Sequence, residues 1–241
     1  MKNPTLLLAL AVAAATTPAA AQTARDAAEA RVAYQQANTG VTARTYRASL
    51  GQQPGSFLGG STFQPGTLRT FDGHNRFVPG LRYHVGLHLL EAQDSVELDS
   101  THFWPVGSLS GFDLGEAGDP AVPVRRFRTR LVKESGVGTR REYVEVLTAI
   151  DAGPLLLAWL YTPEATQNGK QPLVGTLLAG PGTVGPEPLR PFEPTEASVL
   201  RLFGNRADAV RTFASSQRLD YTRPADIAKM MDHYNRLAVV K

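Results

Sequence analysis

The sequence predicts a mainly β fold: an antiparallel meander, built as a sandwich or open barrel, with a small C-terminal α-helical cap. Three observations predict it. Turn signals recur every ~8 to 14 residues through the middle of the chain, with no helical period between them. The 22 glycines and 17 prolines among 241 residues favour short elements joined by turns. After a proline-punctuated stretch, the apolar residues switch from a period of two to a period of three to four.

The chain opens with Lys2, the apolar run TLLLALAVAAA (5–15) and the small residues Ala19 to Ala21. This is the layout of a secretory signal whose apolar core is too short to span a bilayer. Residues 1–21 are expected to be removed and the mature chain to begin near Gln22. The protein is then exported, periplasmic or extracellular. No later stretch approaches ~18 uninterrupted apolar residues, so no transmembrane segment is expected after cleavage. The absence of cysteine excludes disulfides and a lipid anchor on a cysteine. Without Lys2, 24 basic side chains face 22 acidic ones, a net +2 that is too small to argue for nucleic acid.

Residues 22–60 read as an N-terminal leader and first strand. QTARDAAEARVAYQQANTG suits a short alanine-striped helix over 24–36 or a loosely ordered leader, and VTARTYRAS, from Val41, alternates as a strand. The antiparallel β domain is expected over 61–180. TLRTF (67–71) is a strand and DGHNRFVPG a turn-rich connection. LRYHVGLHLLEA is one long strand, with SVELD (95–99) as its hairpin partner. FWPVGSLSGFDL is interrupted strand material. VPVRRFRTRLVK alternates strictly, with Phe127, Thr129 and Leu131 on one face and Arg126, Arg128 and Arg130 on the other. REYVEVLTAI and PLLLAWLYT form a hairpin across DAG, and QPLVGTLLAG is a last strand.

Residues 181–194 read as a Pro/Gly-rich linker, and 195–241 as a short-helix tail packed on the β domain. In the tail, Thr195 caps a first helix that Gly204 ends. Asn205 caps a second helix with Val210 and Phe213 inward. RPADIAKMMDHYNRL forms the third, with Pro224 in its first turn and Ile227, Met230, Met231, Tyr234 and Leu237 on one stripe.

PGTLRTFDG, LRYHVGLHLL, GSLSGFDLGE, RRFRTRL and REYVEVLTAIDAGPLLLAWLY, with the tail closing on Tyr234, Asn235 and Leu237, resemble an uncharacterised family of secreted Bacteroidota proteins. The similarity covers the chain from about Gly60 onward. His84 departs from it, since such proteins more often carry Asp there. The resemblance implies a periplasmic or outer-envelope location and carries over no catalytic residue.

Candidate chemistry is sparse. His84 and His88 at i, i+4 suggest a metal pair. On a strand they lie ~13 Å apart at ~3.3 Å per residue, too far to share one ion, although each could join other ligands such as Asp72 and His74 in the preceding loop. GSLSG (107–111) has Leu109 where a nucleophile elbow needs serine. Asp94, Glu97, Asp99, Asp113 and Glu116 offer carboxylates, but acidic residues also crowd solvated turns. The stripe Arg126, Arg128 and Arg130 suggests a patch for phosphate or carboxylate groups of an anionic envelope polymer or of lipid headgroups. The bland alternative is an ordinary solvated face, part-neutralised by Glu142 and Glu145 across the ladder. No cofactor is implied and no metal site is expected. These readings favour an exported, non-enzymatic envelope scaffold or interaction module. A lipid or small-molecule carrier with a β-lined cavity and a hydrolase with a cross-strand site are the alternatives.

Overall fold

A computed structural model gives the fold for residues 18–52, 56–94, 100–116, 123–134, 136, 138–149, 151, 153–163 and 173–239. Ten strands form one sheet. In chain order they are β1 (Gln64–Arg69), β2 (Asn75–His84), β3 (Leu89–Gln93), β4 (Thr101–Pro105), β5 (Gly111–Leu114), β6 (Arg125–Glu134), β7 (Gly138–Val146), β8 (Leu156–Pro163), β9 (Leu173–Gly180) and β10 (Arg190–Pro191). Their order across the sheet is β10-β9-β8-β7-β6-β5-β1-β2-β3-β4, and every named pair is antiparallel. The fold is mainly β with a helical cap at its C-terminal end.

The second half of the sheet closes on itself. Leu189, just before β10, donates its N–H to Leu131 O at 2.8 Å and accepts from Lys133 N at 2.9 Å. β10 in turn pairs with β9, so β6 to β10 make a hydrogen-bonded ring. Val132, Val144, Val146, Leu156, Ala158, Leu160, Leu178 and Leu189 pack together within it. The 181–194 segment is therefore not a plain linker, because it supplies the closing contact through a buried leucine. Gly182 is needed there: a Cβ would stand 2.5 Å from Gly153 O, where the two loops cross.

β8 explains the run LLLAWLY. Leu156, Ala158 and Leu160 join the ring interior, while Leu157 and Trp159 face the helical cap. A strand covered on both sides needs no polar alternation. The cap consists of α3 (Glu196–Leu202), α4 (Ala207–Ser216) and α5 (Pro224–Val239). Thr195 caps α3 as expected, accepting from Ser198 N. Asn205 does not cap α4: a 3-10 turn over Gly204–Arg206 leads directly into it. Val199, Phe203, Val210, Ile227, Met230 and Met231 are buried against Leu157, Leu177 and Ala179.

The first half of the sheet wraps a second core around Tyr83, Phe112, Phe127 and Tyr143. Phe112 stacks on Phe127 at 4.7 Å, and Tyr143 meets Phe112 edge-on at 5.1 Å. Three expectations fail here. The segment from Val41 is not a strand but lies in helix α2 (Gly40–Gln52), which follows helix α1 (Pro18–Ala37). Ala43, Tyr46 and Leu50, spaced three and four apart, pack with Leu89 and Phe103, so the helical stripe outweighs the weak alternation. DGHNRFVPG is not wholly a connection, because β2 starts at Asn75. Pro79 falls where the β1–β2 register shifts, and there it need not donate to the ladder. LRYHVGLHLLEA is not one strand: the chain reverses over Val85–Leu87, and β3 pairs back on β2 with His84 opposite Leu89. SVELD (95–99) and residues 1–17 lie outside the described residues. The strand that pairs with β3 on its other side is β4.

α1 guards the free edge of the sheet. Asn38, just past its end, donates to Phe103 O at 2.8 Å and accepts from Phe103 N at 3.0 Å, which covers edge-strand groups. Asp26, buried in α1, receives a 2.6 Å bond from Arg141 of β7.

Candidate functional site

The arginine stripe was expected at the surface, either as a solvated face or as an anion patch. Arg128 and Arg130 are instead buried, at 6% and 8% exposure. β5 lies beside the first half of β6, which sets Asp113 opposite Arg126. Arg128 bridges two carboxylates: its Nη1 donates to Asp113 Oδ1 at 2.7 Å and its Nε to Asp151 Oδ2 at 2.5 Å. Arg69 of β1 approaches the other side of Asp113, with Nη2 to Oδ2 at 2.5 Å. Arg126 closes the chain of charges on Asp151 Oδ1 at 2.6 Å and also donates to Ala149 O and Thr148 O. Arg130 donates to Asp151 O at 2.9 Å and Gly182 O at 3.1 Å, so it ties together the two loops that cross at Gly153. Burial draws the Arg130 guanidinium below its usual pKa.

Glu142 and Glu145 do not neutralise the stripe. Glu145 takes a forked bond from Arg125 and a 2.6 Å bond from Tyr161 O–H. Glu142 pairs with Arg140 at 2.8 Å.

The β7–β8 loop is gripped from the opposite side by α5. Both oxygens of Asp232 accept from Ala149 N at 2.9 Å. Asn235 accepts from Leu155 N at 2.9 Å and donates to Leu155 O at 2.8 Å. Arg126, Arg128 and Arg130 from β6, and Asp232 and Asn235 from the helical cap, thus converge on one loop.

Burial alone raises the Asp113 carboxyl. The bonds from Arg69 and Arg128 reverse this and hold it below the ordinary 3.8. Glu145 is likewise raised by burial but pulled below its ordinary 4.5 by Arg125 and Tyr161. Both groups titrate lower in the folded chain than in the unfolded one. Their stabilisation is complete above the ordinary carboxylate values and is lost as pH falls through the folded ones. Urea unfolding should therefore show stability dropping as pH falls below about 4.5. Asp113→Asn should flatten that slope; an unchanged slope would remove Asp113 from the account.

The histidines occupy two ends of one turn. His84 is buried, its Nδ1 accepts from Leu87 N at 3.1 Å, and its ring meets Phe57 edge-on at 4.7 Å. His88 takes the left-handed conformation that completes the reversal, with φ of 50°. Its Nδ1 stands 2.8 Å from Glu142 Oε2. The strand-based separation of ~13 Å does not apply, because the chain turns between the two residues. Their partners nonetheless differ, and no group of three or more His, Asp or Glu side chains suited to a metal occurs among the described residues. Asp72 and His74 pair with each other at 3.8 Å rather than with either histidine.

The GSLSG hydroxyls are occupied: Ser108 donates to Pro105 O at 2.6 Å, and Ser110 to Arg69 O and Thr70 O. Asp94 pairs with His102 at 3.3 Å, while Glu97 and Asp99 lie outside the described residues.

Two open clefts flank this framework. One, of about 560 Å³, lies between α5 and the sheet and is bordered by Arg126, Trp159, Lys229 and Asp232. The other, of about 470 Å³, runs between α1 and the first half of the sheet, where Tyr34 and Trp104 line it together. Sequence reasoning missed the second cleft, whose signal was the alanine-rich face of α1 beside Tyr34. Comparisons with protein-family models, curated proteins and solved structures find no match for this chain.

Proposed function

We propose that this is an exported envelope protein that acts as a non-enzymatic interaction module. The observation that supports this best is the destination of its polar groups. The arginines, the carboxylates beside them and the serine hydroxyls are engaged in holding strands, loops and cap together. A rigid framework of this kind suits recognition at a surface cleft rather than chemistry. The carrier reading finds little support, because the ring interior is filled by apolar side chains. The hydrolase reading finds little either: His102 contacts Tyr34 and Asp94 rather than a serine. Of the arginine stripe, Arg126 borders the cleft beside α5 and Arg130 a smaller pocket beside Arg141.

Crosslinking the full chain in envelope preparations tests the reading. The expected result is a discrete crosslinked partner or co-sedimentation with the envelope fraction. Absence of any association, or turnover of ester or glycoside substrates by the purified protein, would overturn it.

A further inference from the structure

We infer that the cleft between α1 and the sheet binds a neutral glycan, by stacking a sugar ring beside the Tyr34–Trp104 pair. The inference rests on the interaction-module reading and assigns a ligand class to it. Three features of the cleft point to sugar.

The first is the aromatic pair. Tyr34 and Trp104 stack with ring centroids 4.0 Å apart and planes 26° from parallel, and both line the cleft. A pyranose has one face of C–H groups that packs on such rings, while its hydroxyls point outward around the edge.

The second is the mixed polar rim. Arg31 and Asp72 border the same space. Arg31 makes no ion pair among the described residues, so its donors are open. Asp72 is held in place by Thr70 and His74. Hydroxyls both donate and accept, so they suit a rim that offers both kinds of partner. An anionic polymer would meet Asp72 unfavourably, and a purely apolar ligand would desolvate Arg31 and Asp72 without return.

The third is a wall whose aromatic ring is held in a fixed position. Burial raises the Tyr34 phenol above its usual pKa, so it stays protonated. Its oxygen lies 3.2 Å from His102 Nδ1, and His102 Nε2 lies 3.3 Å from Asp94. The relay fixes the ring that the sugar would stack beside. Trp104 Nε1 is itself buried and has no hydrogen-bond partner among the described residues, so it is not one of the donors that the rim presents. The small side chains Ala27, Ala28 and Ala30 leave room of about 470 Å³, enough for one or two sugar rings.

The test titrates the purified chain, carrying Trp159→Phe so that Trp104 is the only indole, with cellotriose and with chitotriose. The expected result is a saturable change in Trp104 fluorescence with at least one of them. Ala28→Leu, which fills the cleft from an exposed helix position, should weaken binding at least tenfold, and Arg31→Ala several-fold. Circular dichroism should show both variants folded as the parent. No saturable change with either sugar, or equal binding by Ala28→Leu, would overturn the inference. If envelope association persists while both sugars fail, the glycan assignment falls and the interaction-module reading stands.

Discussion

Arg128→Ala should destabilise the protein by about 3–5 kcal/mol, the cost of breaking a buried pair by removing one partner. Arg128 is 6% exposed and bridges Asp113 on β5 to Asp151 in the β7–β8 loop. Its removal leaves Asp113 with Arg69 alone and Asp151 with Arg126 alone, and the buried Asp113 carboxylate remains largely desolvated. Arg128→Lys should recover only part of the loss, because an ammonium cannot present a planar fork to two carboxylates at once. Asp113→Ala combined with Arg128→Ala should cost less than the two single losses added, since both remove the same bond. Urea unfolding measures all of these. A loss under about 1 kcal/mol for Arg128→Ala would place the pair with exposed ion pairs and remove it as the join between sheet and loop.

Asn235→Ala should cost about 2–5 kcal/mol, because it leaves both backbone groups of Leu155 without partners at a buried site. The effect should be local before it is global. Asn235 is fully buried, and Gly153 packs so closely that a Cβ there would stand 2.7 Å from the amide. Loss of the clamp should loosen α5 from β8, where Trp159 packs against the cap. Hydrogen exchange should rise first at Leu155 and along α5. Asn235→Asp keeps the acceptor but loses the donor to Leu155 O, and should fall between the parent and Asn235→Ala. Unchanged stability in Asn235→Ala would mean that the cap is held by apolar packing alone.

The β meander was legible because side chains alternate along a strand, as Phe127, Thr129 and Leu131 do against Arg126, Arg128 and Arg130, even though both faces of β6 are covered. The helical cap was legible from the stripe Ile227, Met230, Met231, Tyr234. The reversal at Val85–Leu87 was not. Its flanks, Tyr83 and Leu89, are both buried, and period-two counting runs straight through a four-residue turn. The one local sign was Gly86, which disfavours a continuous strand as much as it disfavours a helix. Helix α2 was missed because Ala43, Tyr46 and Leu50 form a sparse stripe that makes sense only against Leu89 and Phe103. The Pro/Gly stretch hid a closing contact because a single leucine, Leu189, carries it.

For the candidate site, the sequence located the arginines on one strand face but not what that face meets. Alternation assigns residues to sides and says nothing about which side is wet. The sheet's closure through Leu189, and the contacts of Ala149, Asp151 and Leu155 with the arginines and α5, turned an expected surface stripe into a buried network. By itself the sequence determined the β meander and its helical cap, the two faces of β6 and the absence of any disulfide, because these depend on local period and composition. Only the tertiary structure decided which face is buried, which carboxylate meets which arginine and where an open cleft remains. Those outcomes depend on contacts between residues far apart in the chain, and no local pattern encodes them.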